Sequence, residues 1–249
     1  MSQFFVNPQN IKNGNFIIKD KDEVKHLSKV FRIQKGEKIY LFDNTGKRYL
    51  GEVCEVQKFF ISGKILSEIK SKEKKLYLKI FPALIKSERF QLLLEKITEI
   101  GVDEILPYFS ERSVVKISSE KIQSKLSKWK KIILSSSKQS NSQKIPKLSE
   151  NILKFEEAIL SVDSSELNLI AWEFEDKNLL KDIIFDFLSK KPKFPLRCNL
   201  FTGPEGGFTK SEIDFAVSHG FKTFSLGKNI LRAETAVIVS ASLINALIN

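Results

Sequence analysis

Two stretches near the C-terminal end place glycines, carboxylates and an arginine at spacings that could build a ligand site. They are Phe201-Thr202-Gly203-Pro204-Glu205-Gly206-Gly207-Phe208-Thr209 and Leu226-Gly227-Lys228-Asn229-Ile230-Leu231-Arg232-Ala233-Glu234-Thr235-Ala236. Gly203, Gly206 and Gly207 bring bare backbone close to a bound molecule, and Gly227 repeats the device in the second stretch. A phosphate-cradling loop needs Gly-Lys-Ser/Thr, but Lys210-Ser211 follows Thr209. A dinucleotide site needs G-x-G-x-x-G, and here Glu205 stands where it would repel a pyrophosphate. The ligand is therefore not a polyphosphate, and a carboxylate beside the loop suits a cationic or hydroxyl-rich molecule.

Each loop sits where an apolar strand should end and a helix begin. Leu167–Trp172, Leu196–Phe201 and Phe221–Leu226 read as buried strands. Thr209 and Glu212 form a capping box that opens a helix ending at Gly220, with His219 near its C-terminal carbonyls, and a last helix starts near Ala233. Upstream, Leu76–Phe81 is a strand, Phe90, Leu93, Leu94 and Ile97 mark a helix stopped by Gly101, and Val102–Pro107 returns as a strand. This alternation is an α/β rhythm. Before it, residues 1–71 read as a small β-rich domain. Val24, Leu27, Val30 and Phe31 have helical spacing, Lys38–Phe42 and Arg48–Val56 read as strands joined at Asp43-Asn44-Thr45-Gly46, and another strand follows near Phe59–Leu66. The charged run Lys70 to Lys75 is the expected linker, so the second domain would span 72–249.

The chain has 249 residues, is 42% hydrophobic and 29% charged, and carries a net charge of +11. No stretch reaches the roughly 18 apolar residues of a membrane span, and the first residues do not read as a signal peptide, so a cytoplasmic protein is expected. Cys54, Cys198, His26 and His219 have no metal-ligand spacing, so no metal is expected. The charge is concentrated: Arg112 to Lys147 holds ten basic residues against one acid, Glu120. Ile122, Leu126, Trp129 and Ile133 repeat with helical spacing there, which puts Lys121, Lys125 and Lys128 on a wet helix face suited to a nucleic-acid backbone.

The paired motifs Gly203-Pro204-Glu205-Gly206-Gly207-Phe208 and Leu226-Gly227-x-x-Ile230-Leu231-Arg232-x-Glu234-Thr235-Ala236 resemble those of the RsmE family, bacterial 16S ribosomal RNA uridine-N3 methyltransferases. His26-Leu27 with Val30-Phe31-Arg32, Lys86-Ser87-Glu88-Arg89, Lys96 to Val102, Glu111-Arg112-Ser113 and Gln139-Ser140 agree in order and spacing, so the resemblance covers nearly the whole chain. It implies a PUA-like β-barrel domain followed by a SPOUT-class α/β methyltransferase domain with a C-terminal trefoil knot. It also implies a homodimer, S-adenosylmethionine as cofactor, and one uridine in helix 44 of 16S rRNA in the small ribosomal subunit (30S) as target. Alternatives are a non-catalytic small-subunit assembly factor of the same fold, or a related methyltransferase acting on tRNA.

On this resemblance Thr202 to Gly206 and Leu226 to Leu231 would hold the bent cofactor through backbone groups, with Ala171, Trp172 and Glu173 closing one side and Thr235 and Ala236 behind. Arg232 would stabilise charge on the target base, and the proton would pass to Glu205, Glu234 or water; Glu205 could equally brace its own loop. Arg32, Lys86, Arg112, Gln139 and the lysine face would grip RNA. The family commonly has arginine where this chain has Gln3, and charged positions where it has Ser135, Lys138 and Ser142; all lie on the expected RNA side.

Overall fold

The fold is taken from a computed structural model that describes residues 3–70 and 74–249. The chain divides into two units: residues 1–73 with 134–145, and residues 74–133 with 146–249. The middle of the expected linker, 71–73, and with it the expected domain boundary, lies outside the described residues.

The first unit is built on a six-stranded sheet. In chain order it contains β1 (Gln3–Phe5), β2 (Ile11–Lys12), β3 (Asn15–Ile18), a short helix α1 (Lys21–Lys25) that runs into a π-turn over His26–Val30, β4 (Lys38–Phe42), β5 (Arg48–Val56) and β6 (Ile61–Ile69). The sheet order is β1-β4-β5-β6-β3-β2, with β1 parallel to β4 and the remaining pairs antiparallel. The β4–β5 turn is held by buried Asp43, whose carboxylate accepts from the Thr45 amide (2.9 Å), the Thr45 hydroxyl (2.7 Å) and the Tyr49 hydroxyl (2.9 Å). Phe4, Phe16, Leu27, Leu41, Val53 and Ile61 are central to its core. Gly63 is required there, because a Cβ would lie 2.6 Å from the Phe16 ring and 2.1 Å from the Glu52 carbonyl oxygen.

The helical spacing of Val24 to Phe31 is met by α1 running into the π-turn, with Val30 and Phe31 68% and 44% exposed. One expectation fails in this unit. Gln3 does not face RNA. It is fully buried, its amide donating to the carbonyls of Ser137 and Ser142 while its Oε1 accepts from Arg48 Nε (3.1 Å). Lys138 likewise pairs with buried Glu23 rather than standing free.

The second unit contains β7 (Leu76–Pro82), α2 (Ser87–Ile100), β8 (Glu104–Ile105), β9 (Tyr108–Phe109), α3 (Ser119–Gln139, of which 134–139 group with the first unit), β10 (Lys147–Leu148), β11 (Leu153–Lys154), α4 (Phe155–Leu160), β12 (Leu167–Ala171), α5 (Leu180–Ser189), β13 (Leu196–Thr202), α6 (Lys210–Ser218), β14 (Lys222–Phe224) and α7 (Ala233–Ile248). Its main sheet has the order β10-β8-β7-β13-β12-β14 and every pair is parallel. Parallel sheets need cover on both faces, which is why β12 and β13 are buried almost throughout. Phe81 stacks on Phe201 at 4.2 Å, and Tyr108, Phe155, Phe208 and Phe221 extend that core. In α3 the buried apolar residues are Leu126, Trp129 and Ile133, with Trp129 packed on Phe90 (4.5 Å); Lys121, Lys128, Lys130 and Lys131 are exposed and Lys125 half-buried.

Candidate active site

In the sheet register Ala171 lies opposite both Thr202 and Phe224, so β13, β12 and β14 end level with one another. The two glycine loops leave from the ends of β13 and β14. A cavity of about 490 Å³ lies between them, within the roughly 300–1,000 Å³ usual for small-molecule sites. The C-terminal edge of a parallel sheet is where such folds bind ligands.

Its wall contains Ala171, Trp172, Glu173, Thr202, Gly203, Pro204, Glu205, Gly206, Leu226, Gly227, Ile230, Leu231, Arg232 and Ala236. Glu234 and Thr235 are not part of that wall. Glu234 is buried in the first turn of α7, its Oε1 lies 3.8 Å from Arg89 Nε, and its Oε2 has no hydrogen-bond partner. Gly207 joins the wall, as its bare backbone suggested. Arg89 lines the cavity too, as do Phe174, Ser225, Lys228 and Asn229, none of which the sequence singled out as site residues. Gly227 in the second loop pointed toward Lys228 and Asn229. The Lys86-Ser87-Glu88-Arg89 match marked the segment of Arg89 but gave it no role, and its place in the first turn of α2 reads as a solvent position.

The first loop is braced from several sides. The buried Tyr108 hydroxyl donates to the Thr202 carbonyl at 3.0 Å, and burial holds its pKa well above the usual tyrosine value. Glu205 Oε1 accepts the backbone N–H of Lys86 at 3.0 Å, so this carboxylate ties the loop to the start of α2. Arg112 Nη1 donates to the carbonyls of Gly206 (3.2 Å) and Phe208 (3.4 Å). Buried Glu212 completes the capping box: its Oε2 accepts the Thr209 amide (2.9 Å) while its Oε1 accepts from the Ser110 hydroxyl (2.8 Å) and the Glu111 amide (3.0 Å). At the far end of α6, His219 Nδ1 lies 2.8 Å from the Phe215 carbonyl oxygen, the C-terminal contact its position suggested.

The glycines fit a close backbone approach. Gly207 has φ +66°, and a Cβ there would fall 1.8 Å from Glu173 Oε1. A Cβ on Gly203 would press the Phe208 ring at 3.1 Å. Beyond β12, Glu175 organises the turn that follows the lining residues Ala171 to Phe174. Burial acts to raise its pKa, but hydrogen bonds from the Thr223 hydroxyl, the Lys177 and Asn178 amides and the Asn178 side chain outweigh burial and hold it below the usual carboxylate value. Of the other residues expected to touch RNA, Arg32, Lys86 and Gln139 are exposed.

A level strand edge, two glycine loops and a cavity of nucleoside size mark a class. The family model described as an RNA methyltransferase domain matches residues 72–245, and one described as an RNA methyltransferase PUA domain matches residues 18–66. The site and both matches thus place the protein among RNA methyltransferases. Ribosomal RNA small subunit methyltransferase E of Mesomycoplasma hyopneumoniae is 31% identical, with 96% of each chain covered, and that of Aquifex aeolicus is 30% identical with the same coverage. The solved structure of the Neisseria gonorrhoeae protein of that name, bound to S-adenosyl methionine, is 28% identical with a TM-score of 0.86, covering 99% of this chain and 98% of its own. The chain belongs to the ribosomal RNA small subunit methyltransferase E family. Among the described residues no helix is long and apolar enough to cross a membrane.

Proposed function

We propose that the protein methylates N3 of one uridine in helix 44 of 16S rRNA, with S-adenosylmethionine bound between the two glycine loops. The observation that carries this reading is the cavity at the level ends of β13, β12 and β14, into which Arg232 opens beside both loops. When bound, the cofactor supplies an electrophilic methyl group on a sulfonium sulfur. The residues present suit it: the cavity is large enough, no phosphate is needed, and Glu173 brings a carboxylate to the wall of a site that would receive a cation.

A uridine imide nitrogen has no free lone pair until its proton leaves, and the resulting charge spreads onto the flanking carbonyl oxygens. Arg232 stabilises that charge and orients the base. Holding the reacting groups in line contributes roughly 7–11 kcal/mol. Glu205 has one carboxylate oxygen committed to the Lys86 amide, so it positions the loop, and its Oε2 or water accepts the proton. Glu234 acts through Arg89, as a positioning residue behind the wall. The N3 edge is exposed only in an unpaired or flipped nucleotide, which costs a few kcal/mol, and backbone contacts from the α3 lysines, Lys86 and the first unit offset it. Arg112, by contrast, acts as a brace of the first loop. The enzyme works in the cytoplasm as a homodimer, with the C-terminal part of the methyltransferase domain threaded into a trefoil knot.

Labelled S-adenosylmethionine incubated with 30S subunits lacking the mark should place label on a single uridine, identified by mass spectrometry. No transfer by folded protein that binds the cofactor overturns the reading, and absence of cofactor binding points instead to an assembly factor. Arg232→Ala should lower turnover by two orders of magnitude or more with cofactor affinity, measured by calorimetry, nearly kept.

A further inference from the structure

Residues 25–35 of the first unit contain Lys25, Lys29, Arg32 and Lys35 and no acid. Among these cations Phe31 stands 44% exposed and Val30 68% exposed. The backbone puts them there. The Phe31 amide donates to the His26 carbonyl at 3.1 Å, five residues back rather than four, and Arg32 then adopts φ +52°. Single π-turns and left-handed non-glycine residues are both costly and recur at functional sites. The ring so displayed is not loose: it meets Phe4 edge-on at 5.2 Å and 90°, and His26 at 5.0 Å and 78°. Phe4 is itself buried in the core, so the platform is anchored to the sheet through β1.

We propose that Phe31, buttressed by Phe4 and His26, is a stacking platform for an unpaired nucleobase, with Lys25, Lys29, Arg32 and Lys35 gripping the phosphates on either side. An aromatic face inside a row of cations is the arrangement that holds single-stranded nucleic acid, because every base offers a π-face and the backbone supplies the charge. Lys25, Lys29, Arg32 and Lys35 around the ring favour a polyanionic occupant over the same basic patch of a second copy, which they would repel. The inference rests on the reading that the substrate is RNA, but its test needs no catalysis.

The affinity of the full chain for a mixed-sequence single-stranded RNA oligonucleotide, followed by anisotropy over a range of salt, separates stacking from charge. Phe31→Ala should weaken binding roughly 5- to 150-fold, the worth of one stacked base, while the slope of affinity against salt stays unchanged. Phe31→Leu, which keeps apolar bulk without a π-face, should be equally weak. Phe31→Trp should bind as the parent does, with emission quenched by RNA beyond any change shown by the parent. Lys29→Ala and Arg32→Ala should instead flatten the salt slope. With the same sequence as a duplex, Phe31 variants should match the parent. Parent-like single-strand affinity of the Ala and Leu variants overturns the proposal, as does an equal loss on the duplex. A changed oligomeric state with unchanged RNA affinity would also overturn it and assign the patch to a protein contact. Methyl transfer to 30S subunits by the parent chain reports separately on the underlying reading.

Discussion

Gly207 is the residue around the cavity with least freedom. Its left-handed φ costs an L-residue roughly 1–2 kcal/mol, and a methyl group would also have to displace the Glu173 carboxylate. Gly207→Ala should therefore shift thermal stability modestly while cofactor affinity, measured by calorimetry, drops about tenfold or more; a parent-like affinity would show that Glu173 has room to move. Residue identities were well exposed in the sequence where two glycine loops each followed a buried strand, because turn chemistry alone rarely repeats so closely. The role of Arg89 was illegible. A helix-surface arginine acquires meaning only when α7 brings Glu234 against it, a contact spanning 145 positions. Glu205 was readable only as two alternatives, and the Lys86 amide at 3.0 Å favours the brace.

At the scale of elements, the turn after β12 depends on Glu175 receiving its hydrogen bonds as a carboxylate. Its pKa is depressed in the folded protein, so its contribution is present above the ordinary value near 4.5 and is lost as pH falls through the lower folded value. The stability difference between parent and Glu175→Gln, from urea unfolding, should be largest near neutral pH and should shrink as pH falls below about 4.5; a difference independent of pH would remove the carboxylate from this role. Elements with one strong periodicity were legible: β7, α2, β12 and β13 lie close to where apolar runs and the Gly101 stop placed them. β1 to β3 were not, since strands of two to four residues carry no countable alternation and β1 is fixed by pairing with distant β4. The helical spacing at Val24 to Phe31 was legible, but not the π-turn within it, because periodicity does not register a widened turn.

For the whole molecule, charge decides how RNA is met. Lys128, Lys130 and Lys131 are exposed on α3, so their joint replacement by alanine should leave the fold intact and weaken RNA binding. The slope of log affinity against log salt should fall by up to about 0.7–0.9 for each phosphate no longer neutralised, as filter binding would show, and an unchanged slope would take this helix face off the RNA surface. The sheet itself imposes a timetable on synthesis. Every β7–β13 pair joins residues 120 positions apart, from Leu196 with Leu76 to Thr202 with Pro82. At roughly 5–20 residues per second, β7 leaves the ribosome about 6–24 s before its partner. Through that interval one edge of an apolar strand, Leu76-Tyr77-Leu78-Lys79-Ile80-Phe81-Pro82, remains open to other chains, with Lys79 as its only charge. The nascent protein is thus most prone to aggregate while the segment that will build its cavity is still being translated.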